Sequence, residues 1–194
     1  HCIPTVLLQH GLYYDTLKAK ESNIFQGVLP VLSDKFAVWG KILESYALEC
    51  GIPQNQIILV GNPSFDELFK NKHNDIGSEY VLLATQSPTD ASVNDLTIDV
   101  IKKYESVIKK ICEITIKLNK RLIIKLHPDP HELDITDLVH ETNESIEVIK
   151  NGNIQDLLRK CELLITIDVS TTILEAQILE KPTVSISVKD YSVD

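Results

Sequence analysis

The fold is decided by the stretch Leu163-Leu-Ile-Thr-Ile-Asp-Val-Ser-Thr-Thr-Ile-Leu-Glu-Ala-Gln-Ile-Leu-Glu-Lys-Pro-Thr-Val-Ser-Ile186. An apolar, β-prone run ends at Ile167, and a polar turn occupies 168–172. A helical pattern then reaches Leu179 before a second β-prone run. The pattern predicts a strand, a turn, a helix and a second strand, the unit from which parallel sheets are built. The turn also brings hydroxyl side chains to the N-terminus of a helix, where backbone N–H groups favour a phosphate.

Apolar runs alternate with helical patterns along the whole chain. The apolar runs are continuous rather than alternating with polar residues, which predicts the α/β class with parallel sheets covered on both faces. The predicted strands are 4–9, 35–39, 56–60, 80–84, 121–126, 146–149, 163–167 and 183–188. The predicted helices are 41–50, 65–69, 96–118, 154–161 and 170–179. A polar, turn-rich segment at 70–78 predicts a linker, which separates a domain at 1–72 from a domain at 78–194.

Composition narrows the possible partners. The 194-residue chain has a net charge of −9 and is 43% hydrophobic, which argues against a general nucleic-acid or anionic-membrane surface. Residues 1–73 hold six basic against seven acidic residues, so the excess acid lies in the second domain. An anionic ligand there would need a local basic or dipolar pocket. No apolar run approaches the ~18 residues of a membrane span.

The cysteines predict neither a metal site nor a disulfide framework. The four are far apart in the sequence and form no CxxC or Cys/His cluster. We therefore expect no metal and small, buried thiols in a reducing compartment, which indicates a cytoplasmic location. The chain begins with His and contains no Met, so we expect a fragment of a longer protein.

The strongest candidate site is the turn at Ser170 together with Glu175. We expect Ser170 to be the N-cap, Thr171 and Thr172 to contribute to a phosphate-binding first turn, and Glu175 to accept hydrogen bonds from ribose hydroxyls. Asp168 would repel a phosphate, so we expect it to brace the turn as a structural acceptor. The alternative is an ordinary helix cap followed by a surface Glu.

The other candidates also lie directly after predicted strands, where parallel sheets bind ligands. Lys125 and His127 could present two cations to a leaving phosphate, and His127 could act as a general acid or hydrogen-bond donor. The alternative is an exposed Lys and a His that caps local carbonyls. His10 could serve as a general base, and Gly11 allows close backbone approach or a positive φ.

Two further residues complete this set. Asn62 and Gln86 also follow strands, although turn chemistry alone explains the sequence Gly61-Asn62-Pro63. Neither a Walker A loop nor a GxGxxG sequence is present, which disfavours ATPases and Rossmann dehydrogenases.

These residues, in this order, resemble the two-domain glycosyltransferase-B superfamily across nearly the whole chain. The similar groups are CDP-glycerol glycerophosphotransferases, capsule-polysaccharide glycosyltransferases and non-hydrolysing UDP-N-acetylglucosamine 2-epimerases. The matching motifs are His10-Gly11 ("HG"), Gly61-Asn-Pro-Ser-Phe-Asp66 ("GNPxxD"), His127-Pro128 ("HP"), and Asp168-Val-Ser-Thr171 with Glu175 and Lys181-Pro182 ("DxSS…E…KP").

The resemblance implies a fold of two Rossmann-like parallel-sheet domains. Residues 1–72 would be the end part of the acceptor-side domain, and 78–194 would be a truncated nucleotide-binding domain. It also implies roles for residues on both sides of a cleft between the domains. These are catalytic roles for His10 and His127 and donor binding by Ser170, Thr171 and Glu175. From their positions after strands and on the turn, and not from the resemblance, we also expect donor binding by Lys125 and Thr172 and cleft-lining positions for Gly11, Asn62 and Gln86.

The function implied is a transferase that uses a nucleotide-activated sugar or polyol phosphate in cell-surface polysaccharide or teichoic-acid-like synthesis. Its donor would be UDP- or CDP-linked, its acceptor a saccharide or polyol, and it would need no separate cofactor. Such a protein would work in the cytoplasm or at the inner face of the cell membrane, with any peripheral attachment made by parts outside this sequence.

Two departures from the family pattern bear on this function. The glycerophosphotransferases usually carry Arg where this chain has Lys125, and the epimerases use Gly-Gly where it has Thr171-Thr172. The second departure counts against an epimerase, although the sequence does not exclude one. A non-catalytic, flavodoxin-like regulatory module and a nucleotide-binding fragment without activity of its own are also compatible with the sequence.

Overall fold

The structure is a computed structural model that describes residues 3–13, 31–70, 79–86, 98–129, 132–168 and 170–188. The chain divides into two compact units, the first ending at Asp66 and the second beginning at Glu67. The predicted linker lies, from residue 71 onward, outside the described residues, and the predicted boundary between the domains stays a prediction.

The first unit contains a three-stranded parallel sheet. Its strands are β1 (Val6–Leu8), β2 (Lys35–Val38) and β3 (Ile57–Leu59), in the order β1-β2-β3. Helix α1 (Lys41–Glu49) packs its apolar side on β2 and β3. The unit also has 3₁₀ turns at Gln54–Gln56 and Pro63–Phe65. The short helix α2 (Asp66–Lys70) begins at Asp66, where the first unit ends.

Strand β1 differs from its prediction as a buried strand. It is three residues long, and Val6 and Leu8 are 58% and 67% exposed. Among the described residues β1 is at the edge of this sheet and pairs with β2, whereas the central strand β2 is buried at Phe36, Ala37 and Val38. Apolar composition predicted the strand correctly, but burial depends on which neighbours cover it.

The second unit contains a five-stranded parallel sheet with the order β6-β5-β4-β7-β8. These five strands and their helices confirm the α/β class with two parallel sheets. In chain order the elements are β4 (Tyr80–Ala84), α3 (Ile98–Lys117), β5 (Leu122–Lys125), α4 (Thr136–His140), β6 (Glu147–Ile149), α5 (Ile154–Lys160), β7 (Cys161–Ile167), α6 (Thr172–Ile178) and β8 (Thr183–Ile186).

The central strand β4 is buried at every residue, as its continuous apolar run predicts. On one face, Val81 and Leu83 pack in a core with residues of α3 and α4, including Tyr104, Ile108 and Val139. Helix α5 packs against β4 and β7, and α6 packs against β7 and β8. The apolar composition of the strands is therefore explained by helices and core residues packed on the sheet.

The order of the strands creates a switch point beside β4. From β4 the chain moves outward to β5 and β6, then returns to the opposite side of β4 as β7 and continues to β8. In open parallel sheets, ligands bind outside the carboxyl ends of the strands at such a point. The carboxyl ends of β4, β5 and β7 therefore define the edge at which a site is expected.

Three local features differ from the sequence prediction. The five-residue helix α4 was not predicted; its N-cap is Ile135, which makes no side-chain capping bond, and Asp134 Oδ1 accepts from Thr136 N at 3.0 Å in the preceding turn. Cys161 begins β7 instead of ending a helix, and α6 starts at Thr172 instead of Ser170.

None of the helices in the described ranges combines the length and apolar character needed to cross a membrane.

Candidate functional site

Five predicted site residues of the second unit lie at or just beyond the carboxyl ends of β4, β5 and β7. Gln86 follows β4, Lys125 ends β5, His127 follows it, and Ser170 and Thr171 follow β7. Because these strands are adjacent and parallel, one edge of the sheet gathers residues that are far apart in sequence. We call this edge the carboxyl edge.

His127 is exposed at the carboxyl edge and is held at two points. Its backbone N–H donates to Thr85 Oγ1 at 3.2 Å, across to the residue that follows β4. Its ring nitrogen Nδ1 accepts a hydrogen bond from Asp129 N at 3.2 Å. A neutral imidazole that accepts at Nδ1 carries its proton on Nε2, so His127 offers an Nε2–H donor.

Lys125 is buried at the end of β5 and serves the backbone. Its Nζ donates to Leu126 O at 2.7 Å and to Lys150 O at 2.9 Å, which ties the ends of β5 and β6 together. Burial lowers the pKa of this amine, and the nearby Glu132 carboxylate acts in the opposite direction. Two of the three N–H groups of the ammonium therefore bond to carbonyls. A contact between Lys125 and the phosphate of a donor substrate stays a prediction.

Thr85 and Glu132 form a buried polar pair beside His127. The Thr85 hydroxyl donates to Glu132 Oε1 at 2.6 Å, and Glu132 is only 7% exposed. Burial raises the pKa of Glu132, while the hydrogen bond from Thr85 and the nearby backbone N–H of His127 act to lower it. The buried carboxyl group of Glu132 is therefore linked to the backbone of His127 through the Thr85 hydroxyl.

Three buried polar atoms near the same strand ends have no hydrogen-bond partner in the described structure. They are Glu132 Oε2, Tyr104 Oη and Gln86 Oε1. Burial raises the pKa of Tyr104, and the nearby carboxylates of Glu132 and Asp168 raise it further, whereas the neighbouring Thr85 side chain acts to lower it. Tyr104, on α3, therefore lies close to both acids of the carboxyl edge.

Asp168 braces the turn after β7, as predicted. Its backbone adopts a φ of 61°, which Asp tolerates better than most residues. Its N–H donates to Ile186 O at 2.8 Å, and its Oδ1 accepts from Val188 N at 2.9 Å. The carboxylate is thus used to hold the end of β8 against the end of β7.

The predicted phosphate turn is arranged differently from the expectation. Thr171, in the right-handed helical region, is the N-cap, and it makes no side-chain capping bond. Ser170 Oγ accepts a weak hydrogen bond from Thr172 N at 3.3 Å and lies 3.2 Å from Thr172 Oγ1. The N–H groups of residues 173–175 donate to the carbonyls of Ser170 and Thr171. The half-buried hydroxyls of this turn are therefore the groups most suited to meet a ligand.

Glu175 is half-buried on α6 and bonds to the neighbouring helix. Its Oε1 accepts from Gln155 Nε2 at 3.0 Å. This contact orients the carboxylate, and ribose binding by Glu175 stays a prediction.

The predicted residues of the first unit lie at the ends of its own strands. His10 is exposed after β1, and the preceding Gln9 is buried and bridges Gly11 O and Trp39 N at 2.8 and 2.6 Å. Gly11 does not adopt a positive φ, and no atom of the described structure lies within 4 Å of a Cβ built on it, so close approach by a ligand stays a prediction. Asn62 Oδ1 accepts from Ser64 N and Ser64 Oγ at 3.1 and 2.8 Å, as turn chemistry requires.

Sequence reasoning missed Thr85, Tyr104 and Glu132. Thr85 could have been found, because it directly follows the buried strand β4. Tyr104 is one apolar position among many on α3, and Glu132 lies in a loop without periodicity. The contact between Thr85 and Glu132 spans 47 residues, so no local pattern records it.

Comparison with known proteins identifies the class of this chain. A family model described as "LIC12162 family transferase" matches residues 1–192. The chain belongs to this family and is an enzyme of the transferase class, which confirms that part of the sequence prediction. No curated protein matches the chain significantly.

Proposed function

We propose that this transferase uses a nucleotide-activated sugar or polyol phosphate as its donor in the synthesis of a cell-surface polysaccharide or a teichoic-acid-like polymer. The acceptor would be a hydroxyl group of a saccharide or polyol. The donor would be linked to UDP or to CDP. The observation that carries this proposal is the exposed His127 beside the switch point, with its Nδ1 held by Asp129 N.

His127 suits the stabilisation of a departing phosphate. With Nδ1 occupied, the ring presents Nε2–H as a hydrogen-bond donor to a phosphate oxygen on which negative charge develops. Donors held in place before the reaction need no reorganisation as that charge forms. His127 would therefore act as an oriented hydrogen-bond donor through Nε2–H.

The remaining donor contacts are proposed for the turn after β7. Ser170, Thr171 and Thr172 would direct hydroxyls toward the diphosphate, and Glu175, oriented by Gln155, would accept from the ribose. Lys125 would add positive charge from behind the edge, since its amine is committed to the carbonyls of Leu126 and Lys150.

The reaction proposed is a single displacement. The acceptor oxygen forms a bond to the sugar carbon, or to the phosphorus of a polyol phosphate, as the bond to the nucleotide phosphate breaks. The proton of the acceptor hydroxyl passes to His10, and the electron pair of the broken bond stays with the departing nucleotide. The assignment of His10 rests on the resemblance of His10-Gly11 to the superfamily motif.

Calorimetry with UDP, CDP, GDP and CMP tests the proposal. We expect binding of a pyrimidine nucleotide and a loss of about tenfold or more in affinity when both Ser170 and Thr171 are replaced by Ala. Ser145→Ala is the matched control, because it removes an exposed hydroxyl in the turn before β6. No binding by any of the four nucleotides, or equal affinity in the double variant, would count against this site.

A further inference from the structure

The loop after β5 is closed by a ring of four hydrogen bonds. His127 N donates to Thr85 Oγ1 at 3.2 Å, and Thr85 Oγ1 donates to Glu132 Oε1 at 2.6 Å. Glu132 N donates to Asp129 O at 3.1 Å, and Asp129 N returns to His127 Nδ1 at 3.2 Å. The ring links the backbone and the imidazole of one residue through three others.

The direction of each bond in the ring is determined by chemistry. The Thr85 hydroxyl has a single proton, and the carboxyl oxygen 2.6 Å away is a closer acceptor than Lys125 O at 3.4 Å. With that proton given to Glu132, the lone pairs of Oγ1 face the N–H of His127. Glu132 therefore orients the hydroxyl, and the hydroxyl anchors His127.

The placement of an acid here needs a reason beyond stability. Glu132 is 7% exposed, and its Oε2 has no hydrogen-bond partner in the described structure. An unpartnered buried carboxyl oxygen is unfavourable, and an apolar side chain of similar size would avoid that cost. A residue retained at such a cost next to a candidate catalytic group is a candidate for a functional role.

We propose that Glu132 and Thr85 are positioning residues that hold His127 at the carboxyl edge with its proton on Nε2. Neither residue touches the donor, and both act through His127. The inference rests on the proposed function for the role of His127, whereas the orientation of the ring can be measured without any substrate.

Four variants separate positioning from simple packing. Thr85→Val removes the hydroxyl and keeps the shape of the side chain. Thr85→Ser removes the methyl group and keeps the hydroxyl. Glu132→Leu removes the acceptor, and Glu132→Gln keeps an oxygen that can accept from Thr85. Thr115→Val is the control, because Thr115 is equally buried (4% against 5% for Thr85) and its hydroxyl bonds only within α3.

Two measurements on the whole chain test the proposal. Nitrogen-15 NMR of the imidazole reports the fraction of His127 with its proton on Nε2, and amide exchange reports the bond from His127 N. We expect Thr85→Val and Glu132→Leu to reduce the Nε2–H fraction, to speed His127 amide exchange about tenfold, and to weaken nucleotide binding about tenfold. Thr85→Ser, Glu132→Gln and Thr115→Val should resemble the wild type.

The outcomes distinguish this inference from the proposed function. If Thr85→Val and Glu132→Leu leave the imidazole proton and the amide exchange unchanged, the positioning role is wrong whether or not nucleotides bind. If Thr115→Val causes the same changes, they come from general destabilisation and the positioning role is also wrong. If the ring responds as expected but the wild type binds no nucleotide, the positioning role stands and the donor assignment fails.

Discussion

At the residue scale, the carboxyl edge contains three charged side chains that are buried and hydrogen-bonded to specific partners. Lys125 donates to two carbonyls, Asp168 accepts from Val188 N, and Glu132 accepts from Thr85. A buried charged or polar group is tolerated when such bonds replace those lost from water. These bonds hold the strand ends together and leave the exposed His127 to face a ligand.

Asp168 offers a direct test of one such bond. We expect Asp168→Ala to lower the free energy of unfolding by about 1–3 kcal/mol, because the buried N–H of Val188 loses its acceptor. Asp168→Asn keeps an acceptor oxygen and tolerates the positive φ, so it should lose much less. Chemical denaturation measures both, and equal losses would show that the bond to Val188 is not the source.

Glu132 should give the stability a distinct pH dependence. Burial raises its pKa in the folded state above that of the unfolded chain. Its contribution is therefore fully present below the unfolded pKa and is lost as the pH rises through the folded pKa. The charged neighbours act in opposite directions, since Asp129 raises this pKa and Lys150 lowers it.

The variant Glu132→Gln isolates this contribution, because it has no proton to lose. We expect wild-type stability, relative to Glu132→Gln, to fall between acid and neutral pH. Denaturation of both proteins across that range measures the difference. Parallel curves would show that Glu132 ionises as easily in the folded protein as in the unfolded chain.

At the scale of elements, α3 and β4 carry two buried tyrosines in contrasting positions. Tyr80 begins β4 and its hydroxyl donates to Leu157 O at 2.9 Å, whereas the hydroxyl of Tyr104 on α3 has no partner in the described structure. They are 3% and 1% exposed, so burial is matched and hydrogen bonding differs. The pair separates the contribution of a hydroxyl bond from that of ring packing.

Replacing each tyrosine with Phe should therefore have unequal effects. We expect Tyr80→Phe to cost about 1 kcal/mol of stability, because the half-buried Leu157 carbonyl, which also accepts from Cys161 N, loses the second of its two donors. Tyr104→Phe should cost nothing or stabilise the protein, since it removes an unpartnered buried hydroxyl. Thermal and urea unfolding measure both variants, and a clear loss in Tyr104→Phe would contradict the structural assignment.

At the scale of the whole molecule, the two compact units give ligand binding a location. The proposed donor contacts all belong to the second unit, which begins at Glu67. A ligand that binds only the native state stabilises it by about 2.7 kcal/mol at 100 times its Kd. Binding at the carboxyl edge should therefore protect one unit more than the other.

Hydrogen exchange with and without nucleotide tests that location. We expect added protection in residues 79–86, 122–129 and 170–178 and little change in 35–59, since nucleotide alone has no proposed contact there. The double Ser170 and Thr171 variant is the control and should lose the added protection. Protection confined to the first unit would place the nucleotide away from the carboxyl edge.

The sequence by itself determined the α/β class, most of the strands and helices, and the tendency of polar residues to follow strands. These features depend on the local periodicity of apolar residues and on turn chemistry, and both involve only residues that are close together in the sequence. It also predicted the bracing role of Asp168, because a negative side chain suits a structural acceptor better than a phosphate contact.

Only the tertiary structure decided which of these residues meet and what each polar group bonds. The strand order brings Thr85, His127 and Ser170 to one edge, assigns the Lys125 amine to two carbonyls, and places the unpredicted Glu132 behind His127. It also leaves β1 exposed as an edge strand. The physical reason is that these contacts join positions 20 to 47 residues apart, and hydrogen-bond partners at such separations are chosen by the packing of the sheet.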